Sequence, residues 1–221
     1  MTHSAHTTDT GRTHYLLRGI FLLLLIAYPL TLHIGILKNG NLQPAVIILL
    51  GLILFSGVSM VANRNRTGWL LLICGSTLAV WLFTQEIDPA LVLKLPPILI
   101  SLFLMVLFSS TLIPGRRALI SRIAEMMHGH KLDSVAEHYT RRVTVLWSTL
   151  FILMLLESIL LALYASPKIW SLFTNFINYA LIGLVFLIEY RIRVRKLSHL
   201  QHMAFPDFLL SLRRIEWRRL W

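Results

Sequence analysis

The sequence predicts an all-α membrane protein, a polytopic bundle of six transmembrane helices with amphipathic helices at its cytoplasmic face. Three observations predict this fold: the composition, six apolar stretches and the distribution of Lys and Arg along the chain. Of the 221 residues, 56% are hydrophobic and 14% are charged, and the mean hydropathy is +0.70. A soluble domain carries roughly 25% charged residues, so this composition excludes an ordinary soluble domain and a disordered chain. The single cysteine, Cys74, excludes an intrachain disulfide framework.

Six apolar stretches approach the roughly 20 residues that a membrane-crossing helix needs. They run over Tyr15–Leu37, Pro44–Ala62, Gly68–Phe83, Leu95–Ile113, Val143–Ala165 and Trp170–Tyr190. The third is the weakest because it is the shortest, and it needs Trp81 and Gln85 to reach the interface. The predicted organisation is a flexible cytoplasmic tail (1–14), four spans (15–113), a basic amphipathic insert (114–142), two spans (143–190) and a basic amphipathic tail (191–221).

The distribution of Lys and Arg orients the predicted spans, because cytoplasmic loops hold most of the basic residues of a membrane protein. The formal net charge is +11. With both termini in the cytoplasm, all but three of the 21 Lys and Arg residues fall in cytoplasmic segments. Only Lys38, Lys94 and Lys168 remain for the opposite loops. We therefore predict that both termini are cytoplasmic.

Residues at the ends of the spans agree with this topology. Trp69 and Trp147 fall at predicted cytoplasmic ends, and Trp81 and Trp170 at predicted outer ends, where amphipathic rings prefer the headgroup layer. The alternative is that these rings fill the interior of the bundle. Glu189 ends the sixth span beside several arginines, which predicts a salt-bridged helix end.

Two segments on the predicted cytoplasmic face combine apolar and basic residues at helical spacing, which is typical of interfacial amphipathic helices. One begins the insert, and the other is Pro206–Trp221. A second helix of the insert, from about Leu132, is expected to continue into the fifth span. The basic residues assigned to lipid or partner docking are Arg116, Arg117, Arg122, Arg141, Arg142, Arg213 and Arg214.

Anionic lipid alone accounts for these basic residues, at about 1 kcal/mol for each one near the surface. The alternative partner is an acidic soluble protein, which a positive surface would attract and orient. Nucleic acid is not predicted, because no recognition motif or stacking platform accompanies the charges.

Polar side chains inside the last two spans predict an intramembrane site. Glu157 lies deep in the fifth span, where an acidic residue usually marks a function. Thr174, Asn175 and Asn178 lie near one side of the sixth helix, and matching depth predicts that Glu157 meets Asn178. This polar seam is an interhelical hydrogen bond with protonated Glu157, or else a proton relay or a substrate-contacting site. His33 either joins it or is simply hydrated.

No cofactor and no metal site are predicted, because the chain lacks nucleotide-binding and metal-binding motifs. Five histidines outside the spans are too scattered to favour a metal; they are His128, His130, His138, His199 and His202. No catalytic residue is identified. A membrane acyltransferase would have to use His128, His130 or Asp133, whose spacing matches no known pattern.

Three segments of the chain resemble known proteins: PGRRALISRIAEMMHG, HYTRRVTVLW and WSLFTNFINYALIGLVFLIEYRIR. They are similar to a family of bacterial inner-membrane proteins found with genes for aryl polyene and xanthomonadin-type pigment biosynthesis. The likeness covers Pro114–Arg193, and the first four helices match by hydropathy only. It implies a multi-pass protein of the inner membrane, working beside acyl carrier proteins and acyltransferases. Some relatives are named ketosynthases, but Cys74 lies inside the third helix and no Cys-His-His site accompanies it.

The leading hypothesis is a non-catalytic inner-membrane accessory protein that assists synthesis or membrane handover of an acyl-carrier-bound polyene or lipid-like product. An acidic acyl carrier protein or biosynthetic enzymes would dock on its basic face. One alternative is a small proton-coupled transporter or lipid flippase in which Glu157 titrates. The other is a membrane acyltransferase.

Overall fold

The computed structural model describes residues 7–38, 40–62, 67–84, 89–128 and 131–196, with side chains described from Gly19 onward apart from a few at helix ends. The helices are α1 (Thr7–Leu37), α2 (Gln43–Ala62), α3 (Thr67–Thr84), α4 (Pro89–Leu93), α5 (Leu95–Ser109), α6 (Leu119–His128), α7 (Ser134–Tyr164), α8 (Pro167–Leu172) and α9 (Asn178–Lys196). A 3₁₀ turn, Ser110–Leu112, extends α5, and a π-helical turn, Phe173–Ile177, joins α8 to α9. These described ranges contain no strand, so the predicted all-α fold class is confirmed.

Five helical segments of the described chain are long and apolar enough to cross a membrane, which makes the protein a multi-pass membrane protein. They are Gly19–Leu37, Gln43–Ala62, Ala90–Leu112, Ser134–Tyr164 and Pro167–Lys196. Helix α3, which the sequence marks as the weakest span, is a shorter apolar helix. A crossing by α3, and with it the count of six, stays a prediction.

The helix bounds differ from the predicted spans mainly at the amino-terminal ends. Helix α1 begins at Thr7, inside the segment predicted as a tail, and residues 1–6 lie outside the described residues. A helix that already has its nucleus gains one hydrogen bond for each residue added, and no proline precedes Pro29 to stop it. Helix α7 is a single helix of 31 residues, which confirms that the insert continues into the fifth span.

The chain divides into two compact units, each made of segments distant in sequence. Unit 1 holds α1 to α4, α8 and the π turn as far as Phe176. Unit 2 holds α5 from Pro96, α6, α7 and α9 with the residue before it.

Close approach of α2 and α3 organises unit 1. A Cβ placed on Gly68 would lie 2.6 Å from the backbone nitrogen of Val61 and 2.7 Å from the carbonyl oxygen of Gly57. A Cβ on Gly75 would lie 2.9 Å from Cγ2 of Ile53. Small residues are the usual means by which membrane helices bring their backbones together. The glycines of this interface therefore set the distance between α2 and α3.

Helix α7 carries the core of unit 2. Its buried residues are Val143, Trp147, Leu150, Phe151 and Met154, and they pack against side chains of α5 and α9. The ring of Phe151 stacks on Trp147 with centroids 5.7 Å apart, and Phe108 of α5 lies 5.2 Å from Phe151. Phe186 of α9 lies 6.3 Å from Trp147. Aromatic rings from three helices thus form the centre of this unit.

The prediction that four tryptophans anchor the span ends is wrong for two of them. Trp147 is only 8% exposed and Trp170 only 2% exposed, so both fill the protein interior. Trp69 and Trp81 are 58% and 51% exposed, as a ring in the headgroup layer requires. Large aromatic rings contribute much apolar contact wherever they pack, and the sequence pattern alone does not distinguish the two environments.

We expect Gly68→Ala to destabilise the protein by about 1–3 kcal/mol, because the added methyl group meets the backbone of α2 and forces the helices apart. Gly51→Ala is the matched control, since a Cβ at Gly51 meets no atom within 4 Å. Thermal unfolding of the purified protein in detergent measures both. Equal stability of the two variants would contradict the close approach of α2 and α3.

Candidate functional site

Two hydrogen bonds hold the start of the amphipathic helix α6. A turn at Pro114 and Gly115 leads into it, and Gly115 has a φ of 84°, a conformation that favours glycine. The Leu119 amide donates to the hydroxyl of Thr111 at 3.0 Å, and the Ile120 amide donates to the hydroxyl of Thr144 at 3.3 Å. The first amides of a helix have no partner within it, and these hydroxyls supply two.

Helix α6 is also attached to α7 by a buried pair of hydroxyl groups. The hydroxyls of Ser121 and Thr140 lie 2.6 Å apart, and both residues are buried. The hydroxyl of Thr140 lies 2.8 Å from the Ala136 carbonyl oxygen in its own helix. Leu119, the first residue of α6, is buried against side chains that include Leu107. Polar and apolar contacts together fix the position of α6 along α7.

The arginines predicted for docking surround this attachment, and we call them the basic face: Arg116, Arg117, Arg122, Arg141 and Arg142. Arg116 donates to the Ser110 carbonyl at 3.4 Å, and Arg141 donates to the Leu112 carbonyl at 3.0 Å. Both arginines therefore hold the carbonyl end of the 3₁₀ turn, where positive charge is favourable. Arg142 is exposed and Arg122 is half-buried. Arg213 and Arg214 lie outside the described residues.

Acidic residues reduce the charge of the basic face. Arg117 forms an ion pair with Glu125 of α6. Glu125 also accepts a hydrogen bond at 3.4 Å from the Leu132 amide. Asp133 caps α7, because its carboxylate accepts from the Ala136 amide at 2.7 Å. Arg116, Arg141 and Arg142 remain exposed without a carboxylate partner in the described part of the chain.

Glu157 lies in unit 2 with one carboxyl oxygen, Oε1, buried and without a hydrogen-bond partner among the described residues. The hydroxyl of the fully buried Ser158 is also without a partner there. Asn178 is buried, at 5% exposure, and no hydrogen bond joins it to Glu157. The predicted Glu157–Asn178 pair is therefore not formed as a hydrogen bond.

Thr174 and Asn175 take part in a different arrangement, in unit 1. The hydroxyl of Thr174 donates to the Trp170 carbonyl at 2.8 Å. The amide nitrogen of Asn175 donates to the hydroxyl of Ser171 at 3.1 Å, and Nδ1 of His33 lies 3.0 Å from the same hydroxyl. Asn175 lies in the π-helical turn, a feature frequent at functional sites.

The His33–Ser171–Asn175 cluster links α1 to α8. The hydroxyl of Ser171 accepts from Asn175 and also lies within hydrogen-bond distance of Nδ1 of His33. Ser171 is fully buried, so its hydroxyl offers no open approach to an acyl donor. The ring of Phe176 lies edge-on to His33, with centroids 5.1 Å apart. His33 is thus held in the protein rather than simply hydrated.

A cavity of about 260 Å³ lies in unit 1 beside this cluster. Its lining residues are Leu32, Gly35, Ile36, Gly40, Leu42, Ala90, Leu93, Lys94, Pro167 and Trp170. The Gly40 amide donates to the Gly35 carbonyl at 2.8 Å, and Asn41 caps α2 by accepting from the Gln43 amide at 2.8 Å. These bonds shape the α1–α2 turn that forms one side of the cavity.

Glu189 forms the predicted salt-bridged helix end. Nε of Arg193 lies 3.6 Å from Oε1 of Glu189, one helical turn away. The hydroxyl of Tyr139 on α7 donates to the same oxygen at 3.2 Å. The guanidinium of Arg193 also lies over the ring of Tyr190, 5.5 Å from its centroid. This group joins α7 to α9 and leaves Glu189 only 7% exposed.

Neither a metal site nor an acyltransferase site takes shape in the described ranges. No group of three His, Cys, Asp or Glu residues comes together among them. The side chain of His128, and all of His130, His199 and His202, lie outside the described residues. Asp133, the remaining acyltransferase candidate, is engaged as the cap of α7.

No protein-family model, no curated protein and no solved structure matches this chain. The resemblance to the pigment-associated membrane family therefore stays an expectation.

The hydroxyl groups that attach α6 to α7 were missed at the level of sequence. Their signal is the spacing of Thr140, Thr144 and Ser148 at intervals of four, which places three polar groups along one side of a membrane helix. All three are buried, and each donates to a carbonyl one turn back. That spacing alone does not identify the helix whose groups donate hydrogen bonds to these hydroxyl oxygens.

We expect Thr144→Val to speed hydrogen exchange of the Ile120 amide by about tenfold, because this amide loses its acceptor, a loss of roughly 1–3 kcal/mol. Mass spectrometry of the α6 peptide after exchange in detergent measures it. Ser110→Ala is the control, since the Ser110 hydroxyl bonds only within its own turn. Unchanged exchange in Thr144→Val would mean that the Ile120–Thr144 hydrogen bond does not help to hold the start of α6.

Proposed function

We propose that this chain is a non-catalytic accessory protein of a bacterial inner membrane, which assists synthesis or membrane handover of an acyl-carrier-bound lipid-like product. In this proposal an acidic acyl carrier protein, or the enzymes that work with it, docks on the basic face. The observation that carries the proposal is the attachment of α6 to α7 by hydroxyl and backbone hydrogen bonds.

A fixed α6 favours a protein partner over lipid alone. A helix that binds only the membrane surface needs an apolar side and positive charges, and its position along a neighbouring helix is immaterial. Here Ser121 and Thr140 set that position. A surface that is already ordered loses less conformational entropy on binding a protein. Arg116 and Arg142 would then meet acidic groups at defined places.

The nature of the product rests on two further supports. The apolar spans place the protein where a lipid-like product must arrive. The resemblance of Pro114–Arg193 to membrane proteins of pigment biosynthesis makes a polyene the expected acyl chain. The excess of Lys and Arg in the insert and tail supports cytoplasmic termini, and a cytoplasmic basic face is the side from which a soluble carrier protein would approach.

We expect the double variant Arg116→Glu and Arg142→Glu to weaken capture of an acyl carrier protein by about tenfold at low salt, because two attractive charges become repulsive. The full chain is placed in nanodiscs of phosphatidylcholine, which carries no net charge, so that anionic lipid does not compete. Binding of fluorescent carrier protein is measured against salt concentration.

The control for this experiment is the double variant Lys38→Glu and Lys168→Glu, which makes the same change of charge in the predicted outer loops. Capture by this control should equal that of the unchanged protein. Capture that survives reversal of the basic face, or that falls equally in both double variants, would remove the docking hypothesis.

A second candidate function, a small proton-coupled transporter or lipid flippase, is favoured by one observation. Oε1 of Glu157 is buried without a hydrogen-bond partner in the described part of the chain. A carboxyl group in hydrocarbon is costly as an anion and marks a proton or substrate path by default. The unpartnered oxygen is available to a proton or a ligand.

If Glu157 moves protons, Glu157→Gln should abolish proton-coupled uptake or lipid movement in proteoliposomes while the protein remains folded, because the amide does not titrate. A pH-sensitive dye and a fluorescent phospholipid report the two activities. Glu137→Gln changes an exposed carboxylate on the same helix and should have no effect. Activity retained by the Glu157 variant would exclude the relay.

A further inference from the structure

The cavity of unit 1 combines an apolar lining with a buried hydrogen-bond donor. Trp170 lines it and is 2% exposed, and its Nε1 has no hydrogen-bond partner among the described residues. The indole N–H is a donor only. A buried donor left unpaired costs free energy, so the partner that completes this site is an acceptor that the described protein does not supply.

A basic residue lines the same cavity. Lys94 lines it and is half-buried. Lys38 lies between the lining residues Ile36 and Gly40, and Lys168 directly follows the lining residue Pro167. Both of these lysines are exposed. Of these three lysines, Lys94 alone lines the cavity, and its charge favours an acceptor that is an anion.

The remaining lining and the size of the cavity define the rest of the ligand. Most of the wall is aliphatic, from side chains such as Leu32, Ile36 and Leu93. The volume of about 260 Å³ lies just below the roughly 300–1,000 Å³ of small-molecule sites. One short hydrocarbon chain with a small polar end fits this space.

We propose that this cavity binds a single-chain carboxylate amphiphile, with its carboxylate near Trp170 Nε1 and Lys94 and its hydrocarbon against the aliphatic wall. The carboxylate accepts the indole hydrogen bond, which is charge-assisted and therefore stronger than a neutral one. The site goes beyond the docking proposal and does not depend on it, because a carrier protein and this ligand bind different residues.

The test uses decanoic acid bearing a terminal diazirine as a photoreactive probe, added to the full chain in phosphatidylcholine nanodiscs. After illumination, labelled peptides are identified by mass spectrometry. We expect labelling within α1, α4 or α8 that decanoate displaces and decanol does not. Trp170→Phe and Lys94→Gln should each raise the decanoate concentration for half displacement by about tenfold or more, since each removes one partner of the charged group.

Matched controls separate the site from general effects on the protein. Trp69→Phe alters an exposed tryptophan, and Lys196→Gln alters an exposed lysine of unit 2 that does not line the cavity. Both should bind the probe as the unchanged protein does. Lys94 is half-buried, so Lys94→Gln decides the matter if Trp170→Phe fails to fold.

Three results would overturn the proposal. The first is labelling spread over all the spans without displacement by decanoate. The second is unchanged displacement in Lys94→Gln. The third is equal displacement by decanol, which would mean that apolar contact alone retains the probe, or by phosphatidylglycerol, which would mean a two-chain lipid site. Carrier-protein capture is measured separately on the same variants, so that failure of one proposal is distinguishable from failure of the other.

Discussion

Backbone amide and carbonyl groups find no water in the hydrocarbon core of a membrane, so they must pair within the protein. The helices satisfy most of these groups along their own axes. The first amides of α6 meet the same requirement, because Leu119 is buried in the protein. Hydroxyl groups of Thr111 and Thr144 accept from the first amides of this helix. Because those hydroxyls belong to the end of one membrane helix and the middle of another, α6 has a defined position.

A defined position for α6 gives the basic face its character. Arg116 and Arg141 bind carbonyl groups at the end of the 3₁₀ turn, and Arg117 pairs with Glu125. Part of the positive charge thus stabilises the protein itself. The charge that remains available to a partner is therefore smaller than the number of arginines in the basic face. Such a surface is suited to recognising a shape and a pattern of charges, which general attraction to anionic lipid does not require.

Buried polar atoms that lack partners occur in both units, and they are the places where a ligand or proton would complete the structure. In unit 2 these atoms are Oε1 of Glu157 and the hydroxyls of Ser109 and Ser158. In unit 1 this atom is the indole nitrogen of Trp170, a residue that lines the cavity and directly precedes Ser171. The regions whose polar groups are paired hold the helices together, and the unpaired groups are available to bind a ligand or a proton.

The sequence by itself determined the all-α class, the apolar spans, the amphipathic α6 and the Glu189–Arg193 pair, because each depends on neighbours within a few helical turns. Only the tertiary structure decided that Trp147 is buried, that His33 meets Ser171 across 138 positions, and that Glu157 and Asn178 share no hydrogen bond. The reason is physical: lipid and protein interior are equally apolar, so hydropathy places a helix in the membrane without specifying which of its sides faces another helix.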